Sequence, residues 1–224
     1  MKAGNCPYDC PEDLPAIIPV FPLPAALLLP RAEMPLNIFE PRYLAMVDAA
    51  LAGRRIIGMI QPDDHKAPCA SGAALRTVGC AGRITAFAET GDSRYMITLT
   101  GIARFRVVEE VAATTPYRQC RVTADAFCTD FTGAASDAAV DRGSVLATFR
   151  AYLDAHNLET DWESVDNASN ETLINVLAMM APFGPAEKQA LLEAPDLKTR
   201  AETLVAITEM SLARTAGDNA SSLQ

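Results

Sequence analysis

Few residues in this chain are of types that carry out chemistry. Among its 224 residues are two histidines, His65 and His156, and four lysines, Lys2, Lys66, Lys188 and Lys198. No lysine follows a glycine, which excludes a Gly-Lys-Ser/Thr phosphate loop. Neither a Gly-x-Ser-x-Gly elbow nor a His-Glu-x-x-His pair occurs, and no nucleophile and base assemble into a triad. The six cysteines (6, 10, 69, 80, 120 and 128) are irregularly spaced and include no Cys-x-x-Cys pair. Cys6 and Cys10 could give a metal two ligands, and His65 with Cys69 two more, or Asp63 and Asp64 beside His65 could bind one. Structural zinc sites show tighter paired spacing, so free thiols and a solvated loop are the expectation. No cofactor and no metal are expected, and the chain reads as a non-enzyme.

The arginines offer a different chemistry. In "GIARFRVVEE" Arg104 and Arg106 alternate with Phe105 and Val107, which on a strand gives one arginine face and one core face. Such a face would suit a peptide carboxylate or a nucleic acid, or would pair across strands with Glu109, Glu110 or Glu89. Charge bears on the choice. Residues 1–125 hold 13 Lys+Arg and 13 Asp+Glu, whereas residues 126–224 hold 6 and 15. The acidic second part repels a phosphate backbone, so nucleic acid is not an expected partner.

The elements that would position these residues fall into two series. From Leu14 to Pro30 a run of uncharged residues contains five prolines. Each interior proline costs a helix about 3 kcal/mol, so the run is extended segments and turns rather than a membrane helix. Acidic residues precede it, the reverse of a secretory signal, and a cytoplasmic protein is expected. Strand-like runs follow at 55–62, 75–90, 94–111 and 117–127, with Gly91-Asp92 marking a hairpin. Gly79, Gly82 and Gly101 interrupt long strands, where bulges or bends are expected. The strands read as antiparallel. From about residue 139 the apolar period becomes helical, giving three or four helices with Asp141, Ser169 and Asp196 as N-caps. Leu173, Val176, Leu177 and Met180 form one expected inner stripe.

Between the first strands and the first helix lies "NIFEPRYL". Glu40 is placed to cap the helix and Pro41 fits its first turn. Phe39 and Leu44 are spaced for a hydrophobic staple, and Leu44, Val47 and Leu51 form the expected buried stripe. Arg42 stands against the helix dipole and needs a carboxylate or carbonyl.

Together these segments resemble a known family. "VFPLPAALLLPRAEMPLNIFEPRYLAMVDAAL", "IGMIQP", "VGCAGRITAF", "ITLTGIARFRV", "DWESV" and "PFGPAEKQALLEA", in this order, resemble the Lon protease N-terminal, or substrate-binding, domain over about residues 14–210. The resemblance implies an α+β fold: an N-terminal PUA-like β pseudo-barrel followed by a C-terminal helical bundle. The expected layout is a flexible N-terminus over 1–13, the β-rich part over 14–127, the bundle over 139–214 and a disordered tail over 215–224. Lon continues into ATPase and Ser-Lys protease modules. With no phosphate loop present, the resemblance implies a stand-alone protein-binding module without either activity. Its partners would be unfolded polypeptides or specific proteins, with docking on a separate protease as one route. Candidate contact residues are Phe39, Arg42, Tyr43, Arg104, Phe183 and Lys188, on a groove between barrel and bundle or along sheet edges. Phe39 and Phe183 also read as core, and Arg42 and Lys188 as domain-bridging ion pairs. A small-molecule or RNA sensor on a PUA-like fold is the alternative.

Overall fold

The computed structural model describes residues 1–68, 71–133, 140–156 and 158–221, with side chains to Arg214. The chain forms two compact units, Met1–Gly133 and Ala134–Gln224.

The first unit is built on a mixed sheet. Its strands are β1 (Lys2–Ala3), β2 (Cys6–Pro7), β3 (Ile17–Pro22), β4 (Glu33–Ile38), β5 (Ile56–Ile60), β6 (Val78–Thr90), β7 (Arg94–Val111) and β8 (Gln119–Thr123). Helix α1 spans Pro41–Ala52 and the short α2 spans Thr129–Thr132. β1 and β2 form a separate antiparallel pair, and the other six strands run in the order β4-β7-β6-β5-β3-β8. Because β8 also pairs with β7 (Val107 opposite Val122), the strands β3, β5, β6, β7 and β8 close into a ring. That ring is the expected pseudo-barrel. One pairing differs from expectation: β3 and β5 are parallel, with Val20 opposite Gly58. β4 and α1 lie between them in the chain, and this long connection allows the parallel match.

β7 pairs on one side with β6 from Arg94 to Arg106. On the other it pairs first with β4 and then with β8. One expected irregularity falls here, where the β6–β7 register shifts between Ala81 and Gly82; further shifts lie between Ile84 and Ala86 and, in β7–β8, between Val107 and Glu109. The hairpin turn spans three residues rather than two, since Thr90 pairs with Arg94 and Ser93 takes a positive φ of 63°.

Phe105, Ile18, Ile102 and Cys120 are fully buried in the core of the barrel unit. Gly79 makes room for this core: a Cβ there would sit 2.5 Å from the Phe105 ring. The first thirteen residues, expected as a flexible N-terminus, contribute side chains to the barrel unit. Ala3 and Tyr8 are buried in this core, and Arg83 donates to the Tyr8 hydroxyl at 3.2 Å and to Asn5 at 3.3 Å.

The second unit holds α3 (Arg142–His156), α4 (Trp162–Asn167), α5 (Asn170–Met180), α6 (Pro185–Glu193) and α7 (Leu197–Ser221). The caps are side-chain acceptors at the expected residues: Asp141 for Ser144 N–H, Ser169 for Thr172 N–H, and Asp196 for Thr199 N–H. Residues 215–221, expected as disordered tail, continue α7, because extending a formed helix avoids the cost of nucleation. Residues 222–224 lie outside the described residues.

Gly101 has the closest approach of the described glycines: a Cβ there would lie 2.0 Å from the Leu29 carbonyl oxygen. Gly101→Ala is expected to lose about 1–3 kcal/mol of stability or fail to fold. Gly91→Ala, whose Cβ meets open space, should change stability by less than about 0.5 kcal/mol. Urea unfolding of both variants checks this.

Candidate functional site

The β4–α1 junction gathers three of the candidate residues. Glu40 holds the N-cap backbone position of α1 but its carboxylate does not cap the helix. It accepts instead from Arg42, 2.9 Å from Nε and 2.8 Å from Nη2. Thus Arg42, which the dipole disfavours in the first turn, has its carboxylate two residues away. Its guanidinium also lies over the Tyr43 ring at 4.5 Å. Tyr43 is buried, its ring 4.1 Å from that of Phe21, and burial raises the pKa of its hydroxyl. This anchor rotates α1 by about one residue relative to expectation. The buried stripe is Tyr43, Met46, Val47 and Ala50, not Leu44, Val47 and Leu51. Phe39 does not turn inward as the staple requires. It is 60% exposed, 5.9 Å from the Arg94 guanidinium. Phe39, Arg42 and Tyr43 line a cleft of about 270 Å³ with Leu23 and Pro24. A second cleft, of about 280 Å³, shares Arg42 and Tyr43 and is walled by Pro62, Pro116 and Tyr117.

Arg104 is not a surface residue. It is 2% exposed and forms a two-pronged pair with Asp130, 2.9 Å from Nε to Oδ2 and 2.8 Å from Nη2 to Oδ1. Its guanidinium also lies over the Phe127 ring at 4.7 Å. The arginine face expected of β7 is therefore split: Arg104 is buried beneath the segment that carries Asp130, while Arg106 remains exposed. Glu109 and Glu110 pair with Arg121 and Arg118, not with Arg104.

Lys188 is engaged within the helical unit. Its Nζ donates to the Met179 carbonyl at 3.0 Å, satisfying one of the last carbonyls of α5, and burial lowers its pKa. Phe183, buried, lies in the wall of an apolar groove in the helical unit.

That groove encloses about 370 Å³ between α3, α5 and α7, with Phe149, Tyr152, Leu173, Val176, Met180 and Leu204 among its walls. Two residues expected to be buried stand open at it: Val176 is 43% and Met180 79% exposed. Leu173 of the expected stripe is buried, and the rest of the buried side of α5 is Ile174, Asn175 and Ala178. Periodicity locates an apolar stripe but not the element that covers it, so the sequence reading missed the groove. It also missed Arg142. Its guanidinium donates to the carbonyls of Val165, Asp166 and Ala168 and to Asn170 Oδ1, tying α3 to the α4–α5 turn.

The other reactive types are engaged in structural contacts. Asp63 pairs with Lys66 at 3.2 Å and Arg76 at 3.5 Å. His156 stacks on Tyr152, with ring centroids 4.2 Å apart. Burial, with the Glu110 carboxylate adding to it, pushes the Cys120 thiol up to about 11. Cys69 lies outside the described residues; among those described, no group of three His, Cys, Asp or Glu is placed to hold a metal. No helix among them is long and apolar enough to cross a membrane.

Comparison with known proteins decides the family. Residues 17–209 match the model of the ATP-dependent protease La (LON) substrate-binding domain. The chain belongs to this family. It is 28% identical to Lon protease 2 of Myxococcus xanthus over 84% of the chain but 23% of that protein. It is also 28% identical to the Lon protease of Syntrophus aciditrophicus, over 89% of the chain and 26% of that protein. The chain thus spans about a quarter of the length of these relatives. Among solved structures, it resembles a Lon N-terminal domain protein from Xanthomonas campestris, with a TM-score of 0.60 and 23% identity. That match covers 85% of this chain and 97% of the other. The N-terminal domain of Mycobacterium avium complex Lon protease gives a TM-score of 0.57 at 16% identity, over 86% and 98%. These likenesses agree with the α+β fold of this Lon-family chain.

Asp130→Ala removes the carboxylate that pairs with the buried Arg104 cation and is expected to cost about 3–5 kcal/mol in urea unfolding. Glu40→Ala removes only a surface pair and should cost less than about 1 kcal/mol. Iodoacetamide at pH 8 should label exposed Cys10 and Cys128 in the folded chain while sparing Cys120. At its raised pKa only about one Cys120 thiol in a thousand is ionised at that pH. Mass spectrometry of the labelled peptides checks the pattern.

Proposed function

We propose that this Lon-family chain is a protein-binding module that grips exposed apolar segments of unfolded or partner polypeptides. One observation carries the reading: the groove of the helical unit presents a largely apolar lining with a methionine, Met180, 79% exposed at it. Apolar concavities of this kind mark interaction sites on soluble domains, and methionine adapts to varied partner shapes. The family description, a substrate-binding domain, supports the same reading.

The module binds without ATPase or protease chemistry of its own. In support, the Cys120 thiol is held protonated by burial, and Lys188 is engaged with a backbone carbonyl. Work on captured polypeptide would then fall to a partner, a separate protease being one route. The compartment we propose is the cytoplasm. Arg104, Arg118 and Arg121 are neutralised by Asp130, Glu110 and Glu109, so the RNA-sensor alternative draws no support from them.

Fluorescence anisotropy of a labelled, permanently unfolded protein titrated with the full chain tests the grip. Saturable binding is expected for the unfolded form and not for a folded control. Met180→Glu, a change at an exposed position, should weaken it at least tenfold, about 1.4 kcal/mol. Absence of binding up to about millimolar concentration would reject the reading, since that leaves only about 4 kcal/mol of affinity.

A further inference from the structure

We propose that the groove of the helical unit selects the apolar face of a helix whose flanks carry lysine or arginine. This rests on the polypeptide-binding reading above and adds the class of polypeptide. Two features of the groove support it, one of shape and one of charge.

The first is the nature of the walls. Helices α3, α5 and α7 pack on one another pairwise, and the groove lies among them. The rows of side chains on helix surfaces interdigitate with those of another helix, so a partner helix is the natural complement of such a groove. A stripe of anchors spaced i, i+3, i+4 and i+7 enters it as amphipathic helices enter apolar grooves elsewhere.

The second is charge. Most of the groove wall comes from residues 151–187, a stretch with no lysine or arginine and seven carboxylates. Glu159 is itself part of the wall, and Asp154, Asp161 and Glu163 are exposed on the bordering segments. Two cations of α3 stand against these segments, and the seven carboxylates outnumber them. Arg142 is spent on carbonyls of the α4–α5 turn, and Arg150 lies over the Trp162 ring at 4.7 Å. A segment with acidic flanks therefore meets repulsion here and one with basic flanks meets attraction. At physiological salt the field reaches about 8 Å, so the charges that matter are those beside the buried anchors. Methionine tolerates varied anchors, which leaves flanking charge to discriminate between partners. The barrel clefts have no such bias, because Arg42 and Arg118 there are paired with Glu40 and Glu110.

The test uses labelled peptides about 18 residues long, enough for a helix to form on the surface. Leucine and methionine occupy one helical face in each. The remaining positions are lysine in one peptide and glutamate in another. A third keeps the lysine peptide's composition but spreads its apolar residues around the helix. In anisotropy with the full chain at about 0.1 M salt, the lysine peptide should bind at least tenfold tighter than the glutamate peptide. That advantage should shrink towards 1 M salt, where screening shortens to about 3 Å. The scrambled peptide should bind weakly, and Glu159→Lys, at an exposed position, should narrow the gap. Equal binding of the lysine and glutamate peptides overturns the proposal while leaving the polypeptide grip intact. So does equal binding of the scrambled peptide, or a gap that Glu159→Lys leaves unchanged. If no peptide binds but the unfolded protein does, the proposal fails alone; if neither binds, the underlying reading fails with it.

Discussion

The barrel unit depends on how β7 is completed where it changes partners. β4 leaves its edge at Glu33, opposite Thr100, and β8 takes over at Arg106, opposite Thr123. The intervening stretch lacks a strand on that side, and unpaired buried backbone groups there would each cost about 1–3 kcal/mol. Two non-strand devices fill the gap. The Leu29–Ala32 segment crosses at Gly101, where Arg31 N–H donates to the Gly101 carbonyl and Gly101 N–H to that of Ala32. Asp130 then accepts from Arg104 N–H at 2.9 Å with the same carboxylate that holds the Arg104 side chain. Its carbonyl also receives Arg31 Nη1 at 2.6 Å, so one residue joins the crossing segment, the long strand and α2. The cost of burying this charge pair is offset by the backbone bond and second arginine that Asp130 also satisfies.

This closure determines which surfaces remain available. Within the six-stranded sheet, β8 is held on both sides, while β4 has only β7 as neighbour. An added peptide strand would have to pair along β4. Pro35 stands in its middle, lacks an N–H and blunts the edge. Strand addition is therefore disfavoured there, which shifts weight to concave surfaces. The junction clefts follow from the same geometry: β4 runs straight into α1, Tyr43 locks on Phe21, and Phe39 is left outside.

Local patterns made much of this fold legible in the sequence. The expected strand 94–111 coincides with β7, and Asp141, Ser169 and Asp196 cap the helices they precede, because capping and alternation are decided within a few residues. What stayed hidden depends on distant partners. Alternation places Arg104 and Arg106 on one face, but only Asp130, 26 residues on, determines that one is buried and the other is not. The parallel β3–β5 match and the packing of Tyr8 into the core are likewise long-range. At the candidate site, three of six residues share a cleft for a local reason, their place around one helix start. Lys188 and Arg104 were misplaced because a charged side chain says nothing of the carbonyl or carboxylate that will meet it.

The two surfaces thus differ in physical character, and the difference bears on what each can hold. The junction clefts are walled by prolines and tilted rings, and the charges beside them are paired locally, so they offer a fixed shape with little field. The helical groove has the opposite properties. Its α5 stripe is partly uncovered, its exposed anchor is an unbranched thioether, and its bordering segments carry more carboxylates than the two α3 cations beside them. An apolar stripe left in water forgoes the stabilisation that burial would give, about 25 cal/mol for each Å². A covering helix would recover that term, and bordering charge that is weakly screened at close range would govern which helices arrive. Adaptable shape with a fixed sign of charge lets one surface accept many sequences of a single class.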